Sequence, residues 1–131
     1  MDQPRLITVF GGAGFVGRYL VQRLAERGAR VRVAIRRPEE GLFLKPMGGV
    51  GQIEIVAANL RNWPSVQKAV AGADAVVNAV GVLYSAGAQN FGAVHGRGAD
   101  LVARAAAAAG AKRLVHISAI GADAESDSDY A

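Results

Sequence analysis

An α/β domain on a doubly wound parallel sheet of about five strands, in the order 3-2-1-4-5, is predicted by three features of the 131-residue chain. Short apolar runs alternate with helical patterns along the whole length, the mark of a parallel sheet with crossover helices. A glycine-rich turn joins the first apolar run to the first helical pattern. The connections between runs are of crossover length, with no internal repeat and no low-complexity linker.

Leu6 to Phe10 is a continuous apolar strand, and Gly11 to Gly14 is a turn. Phe15 to Arg27 follows as a helix with Val16, Leu20, Val21 and Leu24 along one face, and Gly28 ends it. Val31 to Ile35 is the second strand, closed by Arg36-Arg37-Pro38. Pro38 to Gly51 holds two prolines and four glycines and reads as a long loop. Ile53 to Ala57 is the third strand, and Asn62 caps a short helix through Val70 with Pro64 in its first turn. Ala75 to Val80 is the fourth strand and Gly81 to Gln89 a loop. Phe91 to Ala109 is a long alanine-rich helix ended by Gly110, and Arg113 to Ser118 is the fifth strand. Right-handed crossovers give the stated strand order and place ligands at the C-terminal strand edge where that order reverses.

Composition narrows the chemistry. At 51% hydrophobic and 20% charged, the chain is globular and long enough to bury a core without staples. Zero cysteines exclude disulfides and thiolate metal sites, and with only His95 and His116 no metal site is expected. The formal charge is +4, but Asp123, Glu125, Asp127 and Asp129 crowd the C-terminus, leaving residues 1–122 at +8. Arg18, Arg23, Arg27, Arg30, Arg32, Arg36 and Arg37 fall within twenty residues, a region suited to an anionic partner or, for most of them, a solvated helix face. No signal-peptide core or spanning segment is present, so a cytoplasmic chain is expected, at most peripheral on a membrane surface. The basic excess is modest and lacks a nucleic-acid motif, so no nucleic-acid partner is expected.

Gly11-Gly12-Ala13-Gly14-Phe15-Val16-Gly17 satisfies both G-x-G-x-x-G and G-x-x-G-x-x-G, after a strand and at the start of a helix. In that context missing side chains let backbone N–H groups reach a pyrophosphate, helped by the helix N-terminus, which predicts a Rossmann-type dinucleotide site. Gly17 lets the helix pack closely on the strand. At the end of the second strand an acidic residue would accept a ribose 2′-hydroxyl, whereas arginine accommodates a 2′-phosphate. This chain has Arg36 and Arg37 there, so NADP(H) is favoured over NAD(H).

These residues resemble the extended and atypical short-chain dehydrogenase/reductases, the NAD-dependent epimerase/dehydratase-like group. Asn59-Leu60 sits where that family carries Asp-Leu or Asp-Val beside the adenine, and Asn78-Ala79-Val80-Gly81 resembles the fourth-strand motif whose backbone lies along the cofactor. His95 with Gly98 resembles its Asn-x-x-Gly helix signature, while Ser118 and Tyr130 occupy its serine and tyrosine positions. The resemblance thus implies cofactor contacts from residues 11–17, Arg36, Arg37, Asn59, Leu60, Ala79, Val80, Gly81, His95 and Ser118, and catalytic roles for Ser118 and Tyr130. A narrower resemblance is to the complex I 39-kDa-type nucleotide-binding accessory subunits and their bacterial relatives. It rests on residues 43–53, Phe43-Leu44-Lys45-Pro46-Met47-Gly48-Gly49-Val50-Gly51-Gln52-Ile53, with Arg36-Arg37-Pro38, Ala75-Val76-Val77-Asn78 and Val94-His95. It implies a tightly held NADPH with a structural role, respiratory-complex partners, and a place at the cytoplasmic or matrix face of the respiratory membrane.

Departures from the pattern bear on catalysis. Asn59 replaces the usual Asp and His95 the usual Asn, and the chain stops at Ala131, before the family's lysine would appear at 134. Residues 1–122 are therefore expected to be the cofactor domain and 123–131 an acidic tail toward a C-terminal substrate region, the whole a fragment of a longer protein. Without that lysine Tyr130 is a poor base near neutral pH, so this chain alone is expected to be inactive. Two other readings stand beside the structural one. The first is the N-terminal part of an active NAD(P)-dependent oxidoreductase or sugar-nucleotide epimerase/dehydratase, and the second is a non-enzymatic interaction module. His116 reads as a core or sheet-face histidine, Trp63 and Tyr84 as packing residues, and Ala105 to Ala109 as close helix-to-sheet packing.

Overall fold

The computed structural model describes residues 5–80 and 100–117. Five parallel strands, β1 (Leu6–Phe10), β2 (Arg30–Ile35), β3 (Ile53–Ala57), β4 (Ala75–Asn78) and β5 (Arg113–His116), form one sheet ordered β3-β2-β1-β4-β5. The expected order is therefore the observed one. Helices α1 (Phe15–Glu26) and α2 (Trp63–Val70) lie between strands, with α3 over 100–108. No helix among the described residues is long and apolar enough to cross a membrane.

Because side chains alternate across a strand, each strand feeds both faces of the sheet. Val9, Val31, Val33, Ile53 and Val77 pack on the α1 side with Val21 and Ala25. Leu6, Phe10, Ala34 and Val76 pack on the other side against Val66, Ala69 and Val70 of α2 and Val102, Ala105 and Ala106 of α3. Trp63 packs on that second core as expected, whereas Ala107, Ala108 and Ala109 are exposed, so only the first two alanines of their run serve packing.

Local signals set the helix ends. Asn62 caps α2, its Oδ1 accepting from the Ser65 N–H at 3.0 Å. The α2 C-terminus is closed from the sheet. Thr8 Oγ1 donates to the Ala69 carbonyl at 2.7 Å, and Arg32 Nη1 donates to the Ala69 and Ala71 carbonyls at 2.9 and 2.7 Å. A guanidinium at those carbonyls also complements the negative end of the helix. Arg32 Nε reaches Glu54 Oε1 at 3.2 Å across the β2–β3 register, so this arginine is neither on a helix face nor open to a partner.

The stretch expected to be a loop from Pro38 to Gly51 differs. Pro38–Met47 forms a run of 3₁₀ turns. It takes the place of a β2-to-β3 crossover helix and covers the outer part of the α1 side, burying Leu44 completely. Its prolines remove N–H donors, which disfavours a regular α-helix without preventing short i→i+3 turns. The following chain is held by Gln52, whose Oε1 accepts from the Gly49 N–H at 2.8 Å while Nε2 donates to the Ala25 and Ala29 carbonyls at 2.9 and 2.8 Å. A Cβ on Gly48 would stand 2.8 Å from Gln52 Oε1, so that glycine makes room for the clasp.

Two strand ends also shift. β4 stops at Asn78 instead of Val80, where the Asn78 Oδ1 takes the Val80 N–H at 3.1 Å and turns the chain from the ladder. β5 runs to His116; the expected loop over 81–89, residues 91–99 of the long helix, Ser118, and Tyr84 lie outside the described residues.

Truncating Leu44 tests whether the 3₁₀ run belongs to the folded core. Leu44→Ala should lower unfolding free energy by about 2–4 kcal/mol in urea titration. A loss below ~0.5 kcal/mol would mean that the segment is not part of the cooperative unit.

Candidate functional site

Three chain segments meet where the sheet order reverses. Gly11 takes a left-handed φ of 79°, and its N–H donates to the Ala34 carbonyl at 3.0 Å, tying the glycine turn to the end of β2. A Cβ on Gly11 would lie 3.0 Å from the Ala79 carbonyl carbon and the Val80 Cα, so the turn also lies directly against the end of β4. Ala79 N–H donates to the Phe10 carbonyl at 2.9 Å, fixing that juxtaposition.

The glycines of the turn have separable causes. A Cβ on Gly17 would overlap the Gly11 carbonyl oxygen, and one on Gly12 would stand 2.8 Å from Val33 Cγ1. Those two glycines are demanded by the fold. Gly14 is different: its φ of −74° and ψ of 177° suit any residue, and the nearest atom to an added Cβ is the Gly11 carbonyl oxygen at 3.4 Å. Nothing described in the protein requires a glycine there.

Helix α1 begins at this turn with Gly14 as N-cap, no capping side chain and no acidic residue in its first turn. Its first N–H groups are left without intrahelical acceptors and carry the positive end of the helix dipole. They form an anion-seeking surface at the C-terminal sheet edge. Arg36 follows β2 directly and is exposed, with no hydrogen bond or ion pair among the described residues. Arg37 is also exposed and stands 3.7 Å from Glu40, a weak surface pair.

Asn59 and Leu60 are placed further out, after β3. Asn59 Oδ1 accepts from the Arg61 N–H at 2.9 Å and its N–H donates to Ser65 Oγ at 3.0 Å, while Leu60 packs on the second core. Both residues thus organise the entry to α2. His116 is exposed on β5, a sheet position and not a core one, with its Nδ1 3.3 Å from Asn78 Nδ2. Gly81, His95, Ser118 and Tyr130 lie outside the described residues.

Arg18 and Phe43 were not singled out as site residues by sequence reasoning. Arg18 Nε donates to the Gly14 carbonyl at 3.2 Å and Nη2 to the Ala13 carbonyl at 3.0 Å. The guanidinium carbon lies 4.9 Å from the Phe43 ring centroid. The available signal was local: an arginine four residues after an uncapped helix start that carries no carboxylate.

Comparison with known proteins agrees with this geometry. The model of a family described as NAD(P)H-binding matches residues 11–131. The mitochondrial NADH-ubiquinone oxidoreductase 40 kDa subunit of Neurospora crassa is 35% identical over 123 residues, covering 94% of this chain and 33% of that protein. The ceramide reductase of Caulobacter vibrioides is 32% identical over 130 residues, covering 99% of this chain and 39% of its own length. Pen from Bacillus thuringiensis superposes with a TM-score of 0.75 over 88% of this chain at 21% identity, a likeness of fold. This chain spans between 33% and 39% of the length of those two curated relatives.

The separate causes of the glycines give a paired expectation. Gly17→Ala should destabilise the chain by about 1–3 kcal/mol, since a backbone overlap cannot be relieved by a rotamer change. Gly14→Ala should stay within ~0.5 kcal/mol of the parent. Thermal or urea unfolding followed by circular dichroism distinguishes the two, and equal losses would contradict the assignment.

Proposed function

The chain belongs to the NAD(P)H-binding family, and from that premise we propose that it is a cofactor domain holding NADP(H) in preference to NAD(H). The observation that carries the preference is Arg36, exposed and uncommitted at the end of β2, with Arg37 beside it and no carboxylate at either position. A guanidinium matches a phosphate with planar, charge-assisted donors, whereas an acidic residue there would favour a free ribose hydroxyl.

In this reading the pyrophosphate lies on the α1 N-terminus, reached through the gap at Gly14. The ribose phosphate meets Arg36 and Arg37. The backbone of Ala79 and Val80, adjoining the turn, runs along the nicotinamide half, with Gly81 assigned there by the fourth-strand motif alone. Asn59 and Leu60 border the adenine, and His95 and Ser118 are assigned cofactor contacts by the family resemblance alone. The dinucleotide supplies hydride chemistry where a substrate region is present. The residues named here orient it.

Similarity to an NADH-ubiquinone oxidoreductase subunit supports a structural cofactor in an accessory subunit, with respiratory-complex subunits as partners and a position at the respiratory membrane. Similarity to a ceramide reductase supports the second reading, in which a longer protein uses Ser118 and Tyr130 catalytically. A lysine four residues after Tyr130 in the continuing frame, with reductase turnover by the longer protein, would favour the second.

Side-by-side calorimetric titration of the 131-residue chain with NADPH and NADH tests the preference. NADPH should bind more tightly, and Arg36→Glu should weaken NADPH at least tenfold more than NADH, the scale of one charge-assisted contact. Equal losses for the two would sink the 2′-phosphate assignment. Gly14→Ala should weaken both about equally by tenfold or more while leaving the chain folded, because its methyl group would occupy the approach to the pyrophosphate.

A further inference from the structure

Among the described residues, Arg18 is the one cation fastened to the glycine turn itself. Its Nε and Nη2 are engaged by the Gly14 and Ala13 carbonyls, which fixes the guanidinium plane while Nη1 and the second Nη2 hydrogen remain as donors. Phe43, carried by the 3₁₀ run that follows Arg36 and Arg37, lies against that plane at 4.9 Å. Arg18 therefore stands between the turn and the segment beyond β2, on the side of the site that the ribose end of a dinucleotide occupies. No carboxylate pairs with it among the described residues, and it lies in the first turns of α1, where the helix dipole opposes a cation. The fold gains little from a fixed positive charge at that end, but an anion bound there would be met by it.

We propose that Arg18 is a specificity-determining residue that donates to the 2′-phosphate of NADP(H) together with Arg36, and that Phe43 holds its guanidinium in position. This rests on the NADP(H) reading above. Two of its donors are anchored to backbone, so little side-chain freedom is left to lose on binding, which is the advantage of a preorganised ligand. Phe43 adds a face that the planar guanidinium, unlike an ammonium, can stack on.

The test is calorimetric titration of the parent chain and of Arg18→Met, Arg18→Lys and Phe43→Leu with NADPH, NADH and the fragments 2′,5′-ADP and 5′-ADP. Circular dichroism melts show which variants are folded. Arg18→Met should weaken NADPH and 2′,5′-ADP about tenfold and leave NADH and 5′-ADP within about twofold. Arg18→Lys should recover only part of that loss, and Phe43→Leu should show a smaller loss confined to the same two ligands. Equal weakening of all four ligands by Arg18→Met would overturn the proposal, leaving Arg18 as a brace of the turn. Unchanged binding of all four would overturn it as well. A parent chain that binds NADPH and NADH equally, or neither, removes the premise itself, and that failure is read before any variant is made. If Arg18→Met does not fold, Phe43→Leu and Arg18→Lys decide between the same outcomes.

Discussion

The backbone of α1 touches the backbone of the glycine turn at Gly17, with no side chain between them. That contact sets the height and tilt of the helix on the sheet. Once α1 is seated, Val21 and Ala25 reach Val9, Val31 and Val33, and the helix start is fixed at the edge where β1, β2 and β4 end. A wider spacing would leave a gap along that whole side of the sheet, and interiors tolerate such gaps poorly. It would also swing the uncapped N–H groups away from the point where the turn and the ends of β2 and β4 converge. Packing and ligand geometry are therefore two results of one steric condition.

The two sides of the sheet are finished by different means. Toward α2 and α3 the core sets alanines and valines against Leu6 and Phe10, with Leu60 and Trp63 at its margin, and the α2 end is closed by polar groups rising from β1 and β2. Each such bond contributes modestly, roughly 1 kcal/mol for a hydroxyl to a carbonyl and somewhat more for a guanidinium. Leaving the buried Thr8 hydroxyl unpaired would cost more than its bond contributes. Toward α1 the sheet is wider than one helix can cover. Leu44, Met47 and the Gln52 clasp cover its β2–β3 part, while Val115 on β5 stays exposed.

Much of this was legible because it is encoded locally. The apolar runs gave the strands, the right-handed crossover rule gave their order, and Asn62, Gly28 and the glycine turn marked their junctions. What escaped was tertiary. The stretch from Pro38 to Gly51 has no 3.6-residue period, so its punctuation by proline and glycine hid the burial of Leu44. Arg32 looked like one more surface arginine, yet its partners are carbonyls on α2 far along the chain. Arg18 and Phe43 meet only because the 3₁₀ run folds back over α1. At the site, sequence pattern grouped four glycines as one motif, whereas the structure divides them into those the fold needs and Gly14, which it does not. His116 follows the same logic in reverse, since an apolar strand context concealed an exposed position beside β4.

The 3₁₀ crossover has a consequence for how the chain breathes. Three-residue turns hold themselves together weakly, so Pro38–Met47 depends on Leu44, Phe43 and the neighbouring clasp to stay down. Beneath it lies β3, the outermost strand on that side. The segment and β3 therefore unfold with the rest of the chain but should also open together locally, at lower free energy than the β1–β4 centre, with amide exchange graded accordingly. The arginines that follow β2 sit at the hinge of that unit. A ligand that gripped them would tie that unit to the sheet centre and so raise the local stability of β3, which carries none of the gripping residues.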